Sequence, residues 1–111
     1  MDKDKVRRDF AMAVNMTGTE LERWLETDES RKVGFRRAGA SESIGHASGR
    51  RIVALLKRSA TELSDDDHAH MRKVVGYVRR HVAQRPQNIY TSRWRYSLMN
   101  WGHDPTKEDE R

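Results

Sequence analysis

The sequence predicts an all-α domain, a compact bundle of four to five short helices with a long basic Gly/Ser loop between the second and the third. Apolar residues recur at i, i+3 and i+4 in separate stretches, the period of a helix with one buried face. Ser or Thr followed three positions later by an acidic residue opens two of those stretches. No strand-like alternation is present apart from an ambiguous Ile89-Tyr90.

The first helix is expected over residues 3–15, where Val6, Phe10, Ala13 and Val14 share a face. Gly18 interrupts it. Thr17 with Glu20 forms a capping-box pattern for a second helix, which carries Leu21, Trp24 and Leu25 and ends near Thr27. From Asp28 to Gly49 the periodicity is lost. Gly34, Gly39, Gly45 and Gly49 fall there among Ser30, Ser41, Ser43 and Ser48, so a mobile basic loop is expected, with a short helical turn around Ser43–His46. Ser48 is then a cap for a third helix bearing Ile52, Leu55, Leu56 and Ala60.

Ser64 opens the best-specified helix, with Asp67 at the capping-box position and Asp65 and Asp66 at the positive end of the helix dipole. Met71, Val74, Val75, Val78 and Val82 form its stripe, Arg79, Arg80 and Arg85 sit at its C-terminal end, and Pro86 stops it. A last helix is expected from Ser92 to Asn100, with Gly102 as the terminating residue. Residues 1–104 are thus one helical domain with residues 1–4 frayed, and 105–111 a charged flexible tail.

With 111 residues the chain can bury roughly two-thirds of its unfolded surface. Only 35% of it is apolar and another 35% is charged, so the core must come from narrow stripes. There is no Cys, which excludes disulfides, thiolate chemistry and Cys-based zinc sites. The Met1-Asp2-Lys3-Asp4-Lys5 start lacks a signal-peptide character and no run reaches membrane-spanning length, so a cytoplasmic protein with no membrane partner is expected.

The net charge of +5 is unevenly spread. Residues 2–30 hold eight acids against five bases, whereas residues 31–58 hold eight bases and one acid, Glu42. Between His68 and His103 there is no Asp or Glu, yet there are seven Lys/Arg. This segregation points to a polyanionic partner. On the fourth helix Arg72, Gly76, Arg79 and Ala83 share one row, flanked by Lys73 and Arg80 and opposite the valines. A solvated face with dipole-matched arginines would account for any one of these residues, but a merely soluble face mixes signs. The candidate nucleic-acid-binding residues are Arg50, Arg51, Arg72, Lys73, Arg79, Arg80, Arg85, Arg93 and Arg95.

Other chemistries are poorly supported. A helix-turn-helix over residues 50–84 would turn Asp65, Asp66 and Asp67 toward phosphates. Gly45 through Arg51 has small residues and arginines at an expected helix start, which suits an anion, but it lacks the Gly-Lys-Ser/Thr ending of a nucleotide loop. Asp66 and His70 share a helical face without a clear third ligand among Asp67, His68 and His81, so no metal site is expected. No serine or histidine constellation suggests catalysis, so neither an enzyme nor a cofactor is expected. Trp94, Leu98 and Trp101 share a face and are expected in the core.

Three stretches carry a resemblance: Ser43-Ile44-Gly45-His46 through Gly49-Arg50-Arg51-Ile52; Met71 to Val78 through Arg80 to Pro86; and Arg93-Trp94-Arg95-Tyr96-Ser97-Leu98-Met99-Asn100-Trp101-Gly102-His103-Asp104-Pro105. Together they resemble a family of small microbial proteins, also seen in fungi, catalogued as domain of unknown function 3140. Some members are labelled DNA-binding, so the resemblance implies nucleic-acid binding and assigns no residue a role. The expected function is DNA or, second, RNA binding through the phosphate backbone with little sequence specificity, in a nucleoid-associated protein. The alternative is a protein-interaction or self-assembly module, a homo-oligomer included, docking an acidic surface.

Overall fold

The computed structural model describes residues 1–109, with side chains through Lys107. Its helices begin where a short polar side chain can take the first free N–H groups. Asp2 caps α1 (Lys3–Ala13), accepting from the Lys5 N–H at 3.1 Å. Thr17 opens α2 (Gly18–Leu25) with a complete capping box: the Glu20 N–H donates to Thr17 Oγ1 at 3.1 Å and the Thr17 N–H to Glu20 Oε1 at 2.8 Å. Thr27 caps a short α3 (Asp28–Lys32). Ser43, Ser64 and Ser92 cap α4 (Ile44–Leu56), α5 (Asp65–Val82) and α6 (Arg93–Asn100), each accepting from an N–H three residues on. A 3-10 turn at Ala60–Glu62 joins α4 to α5, and a single turn, α7 (Thr106–Asp109), follows α6. The fold is all-α, with no strand among the described residues.

Two helix pairs build the core. α1 lies along α5, with Val6 and Phe10 buried among Met71, Val74, Val75 and Val78. α2 packs on α4 through Leu21, Leu25, Ile52 and Val53. α6 touches α2, α3, α4 and α5, and its Leu98, with Trp101 just beyond its end, joins both pairs into one continuous cluster. The radius of gyration, 13.6 Å, is close to the ~13 Å of a compact chain this long. No described helix is long and apolar enough to cross a membrane.

The structure shortens the expected 28–49 loop to residues 33–43, because helices occupy both of its ends. α3 has no apolar stripe for periodicity to reveal; it is held by its Thr27 cap and by Asp28, Glu29, Arg31 and Lys32 placed to suit the dipole. Ser48 does not cap a helix: Ser43 does, and Ser48 is buried inside α4 with its hydroxyl 2.9 Å from His70 Nε2. The remaining loop is anchored at Val33 and Ser43, both buried, and turns at Gly34, whose φ is +91°. Residues 1–4, expected to fray, supply the Asp2 cap and a Lys3–Asp65 pair at 2.5 Å. The expected tail also begins inside the domain. Pro105 and Thr106 are buried, and Lys107 Nζ reaches Glu20 Oε1 at 2.6 Å and the Asn15 carbonyl at 3.2 Å. The expectation for Glu110 and Arg111 lies outside the described residues.

The small residues of early α4 serve packing. A Cβ on Gly49 would lie 2.6 Å from the Asn100 carbonyl oxygen and 2.7 Å from Leu25 Cδ2. By contrast, a Cβ on Gly76 would meet only the end of the Arg80 side chain, at 3.1 Å. Gly49→Ala is therefore expected to destabilise the fold by about 1–3 kcal/mol through overpacking. Gly76→Ala should stabilise it by up to about 1 kcal/mol, since Arg80 can swing aside. Thermal melts moving in opposite directions check both; equal melts would refute the close approach at Gly49.

Candidate functional site

Ion pairs divide the nine basic candidates. Arg50 grips Glu42 through Nε at 2.8 Å and Nη2 at 2.5 Å, and with His46 it holds the Glu42 carboxyl down at about 2. Arg51 Nη2 lies 3.2 Å from Asp67 Oδ1, with Arg58 on the other oxygen at 3.0 Å. Asp67 also accepts the Ser64 N–H at 3.0 Å, the largest contribution to a carboxyl lowered to about 2. Arg95 binds both oxygens of Asp104 at 3.2 Å and the Tyr90 carbonyl at 2.7 Å, a half-buried clamp between α6 and the segment after it. Arg79 sits 3.6 Å from Asp9.

The Arg72–Gly76–Arg79 row borders a hollow between α1 and α5 whose lining includes Asp2 and Asp9, so its field is of mixed sign. Arg85 stands 6.0 Å from the Trp94 ring centroid, and Arg93 is exposed at the start of α6. Lys73 and Arg80 share with Arg72 and Arg93 their exposure and the lack of an ion-pair partner among the described residues, and are set apart by the concavity they line together.

That concavity, about 280 Å³, is bounded by Gly34, Phe35 and the start of α4 on one side. Lys73, Tyr77 and Arg80 of α5 bound it on the other, with Asn100 and Trp101 at its base. Their i, i+4, i+7 spacing on α5 gives them one face. A second hollow of about 310 Å³ shares Ile44, Lys73 and Trp101 with the first and adds Arg37, Arg51 and His70. Neither lining includes an acidic residue. Phe35 is 71% exposed, an unusual cost for a large apolar ring unless something covers it.

Four rings run through this site in near-parallel order. His70 and Trp101 have centroids 6.3 Å apart at 16°, Trp101 and Tyr77 4.3 Å at 16°, and Tyr77 and His81 4.3 Å at 20°. Burial pushes the His70 imidazole down to about 4, with Arg51 and Lys73 repelling its proton and Asp67 only partly opposing them. His81 is lowered by burial and by Arg80. Burial also raises the Tyr77 phenol to about 12, so it stays protonated and can donate to His81 Nε2 at 3.1 Å. The Trp101 indole N–H, at the base of the first hollow, makes no hydrogen bond among the described residues. Gly45 leaves that N–H uncovered: a Cβ there would lie 2.9 Å from Trp101 Nε1.

Sequence reasoning singled out Lys73 and Arg80 but missed Phe35, Arg37, His70 and Tyr77 as neighbours, and favoured the core over a stacking platform for Trp101. Trp101 is indeed in the core, 5% exposed, while its edge floors the hollow. Phe35 carried a usable signal, being the lone Phe, Trp or Tyr between Trp24 and Tyr77 in an otherwise polar loop. Gly45 through Arg51 is not the expected anion-binding helix start, because α4 begins at Ile44 and Ser43 takes the His46 N–H at 3.0 Å. The histidines weighed as metal ligands have other partners: His68 Nδ1 lies 2.7 Å from the Ser64 carbonyl, and Nε2 2.9 Å from Arg7.

A family model described as "Protein of unknown function (DUF3140)" matches residues 9–99. The chain belongs to that family. No curated protein and no solved structure matches it. The matched span holds every residue of the DUF3140 chain named above around the two hollows except Asn100 and Trp101, which follow it directly.

His70 offers a direct test of the site's potential. Its proton should come off near pH 4 in the folded protein, against about 6.5 in the unfolded chain. With the folded pKa depressed, the contribution to stability is full above about 6.5 and is lost as pH falls through about 4. Lys73→Met should raise the His70 pKa by removing a repelling cation. NMR titration of the imidazole carbon-bound protons measures both: a His70 pKa near 6.5 would refute its burial, and an unchanged His70 pKa in Lys73→Met would refute the repulsion by that cation.

Proposed function

We propose that this protein binds nucleic acid, DNA in the first instance, holding the phosphate backbone with Lys73 and Arg80 and with Arg37 and Arg51 beside them. The carrying observation is the pair of adjoining hollows lined by these four cations and by aromatic rings, with no acidic residue in either lining. Lys73, Arg80 and Arg37 have no carboxylate partner among the described residues and can release counterions from a polyanion, whereas Arg51, held at 3.2 Å by Asp67, and the arginines clamped by Glu42 or Asp104 offer less. No patterned set of base-reading side chains accompanies them, so little sequence specificity is proposed. Binding rather than catalysis is the role these groups suit, and on this reading the protein would reside with the nucleoid.

The alternative, a module that docks an acidic protein surface or a second copy, has less support. It drew on the acidic front of another copy, residues 2–30, and several of those acids are engaged within the chain: Asp9 with Lys5 and Arg79, Glu20 with Lys107, Glu22 with Lys57.

Four phosphate contacts would make affinity fall roughly a hundred-fold between about 50 and 200 mM salt. Replacing Lys73 and Arg80 together by Ala should lower the salt slope by about two units across all sequences, one per lost phosphate contact. Both side chains are exposed, so stability should change by less than about 0.5 kcal/mol each. Arg50→Ala, away from the hollows, should leave affinity unaltered. Mobility shifts and thermal melts of the three proteins provide the comparison, and no retention of any oligonucleotide at low salt would defeat the proposal.

A further inference from the structure

We infer that the hollow beside Trp101 receives an unpaired nucleobase, so that a single strand rather than a duplex is the preferred partner. The inference rests on the nucleic-acid reading above and specifies what the aromatic part of the site is for.

Size is the first argument. At about 280 Å³ the hollow lies just below the usual range for drug-sized ligands, and it suits one small ring system. Its chemistry is the second. Phe35 presents an exposed ring at the rim, while Tyr77 and Trp101, stacked on each other at 4.3 Å and on His81 and His70 beyond, offer their edges at the wall and base. Base stacking on the Phe35 face tolerates any sequence, because every base has a π-face. The third argument is polar. The Trp101 N–H is a donor without a hydrogen-bond partner among the described residues, at the base of a hollow where a base carbonyl or ring nitrogen could accept from it. Gly45 keeps that edge open, since any side chain there would start 2.9 Å from the nitrogen.

Charge supplies the rest. Lys73 and Arg80 stand on either side of Tyr77 along α5, so that they flank an inserted base and can meet the phosphates before and after it. His70, neutral above about pH 4, and His81, whose charged form burial and Arg80 disfavour, extend the ring ladder. A paired base inside a duplex shows only its edges in the grooves and cannot lie between Phe35 and Trp101. Only a base out of the stack can enter.

The test compares a short fluorescent single strand, the same strand annealed to its complement, the same strand with abasic sites, and a free mononucleotide, all at about 50 mM salt where backbone contacts are strong. Anisotropy titrations should show the single strand bound at least five-fold more tightly than duplex or abasic strand, the lower end of one stacked base. Phe35→Ala, at a 71% exposed position, should melt like the parent and lose that preference while keeping duplex binding. Phe35→Trp should restore it. Equal affinity for single strand, duplex and abasic strand, or an unchanged preference in Phe35→Ala, would overturn the base pocket while leaving backbone binding standing. Free mononucleotide bound as tightly as the strand would overturn the strand as partner. No binding to any of the four probes would overturn both this inference and the reading beneath it.

Discussion

The seating of Asn100 is the interaction on which the rest of the structure depends. Its side chain is 1% exposed. The amide oxygen accepts from the Trp24 indole N–H at 2.7 Å and the Ser30 hydroxyl at 2.5 Å, while its nitrogen donates to the Ser30 carbonyl at 2.9 Å. An indole can only donate, which fixes the amide orientation and leaves no alternative pairing. Leaving any one of these buried partners unsatisfied would cost about 1–3 kcal/mol, a large share of a small domain's stability. The next residues continue the anchoring. Gly102, at φ +83°, turns the chain so that its carbonyl accepts the Met16 N–H at 3.2 Å. His103 Nδ1 lies 2.8 Å from the Ala13 carbonyl, and Asn15 and Asp104 exchange two hydrogen bonds. One short stretch thereby fastens α2, α3 and the α1–α2 connection, across 70 to 90 positions of sequence.

The groove follows from that anchoring. Trp101 adjoins Asn100, so the residue that floors the hollow is held by the same contacts that hold the fold, and it cannot shift without disturbing Gly45 and the core cluster. A floor fixed in this way would lose little conformational entropy if something settled on it. The rim is built differently. Phe35 and Arg37 belong to an irregular segment tied down at Val33, Ser43 and the Phe35 carbonyl, which accepts the Ile44 N–H at 2.9 Å. A fixed floor with a loop-borne rim is a common division of labour in binding sites, with scaffold providing position and loop providing fit.

What was legible in the sequence was local. Thr17 with Glu20, Ser64 with Asp67, Ser92, and Gly102 are signals whose physics spans a few residues, and each lies where it was expected. The beginning of α4 was illegible because Gly45, Ser48 and Gly49 are small for the sake of tertiary packing, and small residues read as loop. α3 was illegible because its only buried residue is Ser30, whose value lies in Asn100, 70 positions away. The basic candidates met the same limit. Arg50 and Lys73 are alike in one dimension. Glu42 sits 8 positions from Arg50, and Asp67 16 from Arg51, and no spacing rule joins such pairs. Which cation is left without a carboxylate is a property of the folded surface.

This also explains why the acid-free stretch from His68 to His103 does not give a uniformly positive face. Acids from outside it fold back: Asp9 from α1 reaches Arg79, and Asp104 takes Arg95. Positive potential persists where neither α1 nor the 104 segment reaches, along the Lys73–Arg80 side of α5. The imidazoles there register it, both shifted toward the neutral form by burial and by adjacent cations. A histidine titrates near neutrality only when its surroundings allow, and those of His70 push it down to about 4. The charge beside His70 therefore comes from the lysine and arginine side chains around it. With the His70 imidazole neutral well above about pH 4, the attraction these side chains would exert on an anion would be tuned by ionic strength rather than by that ring.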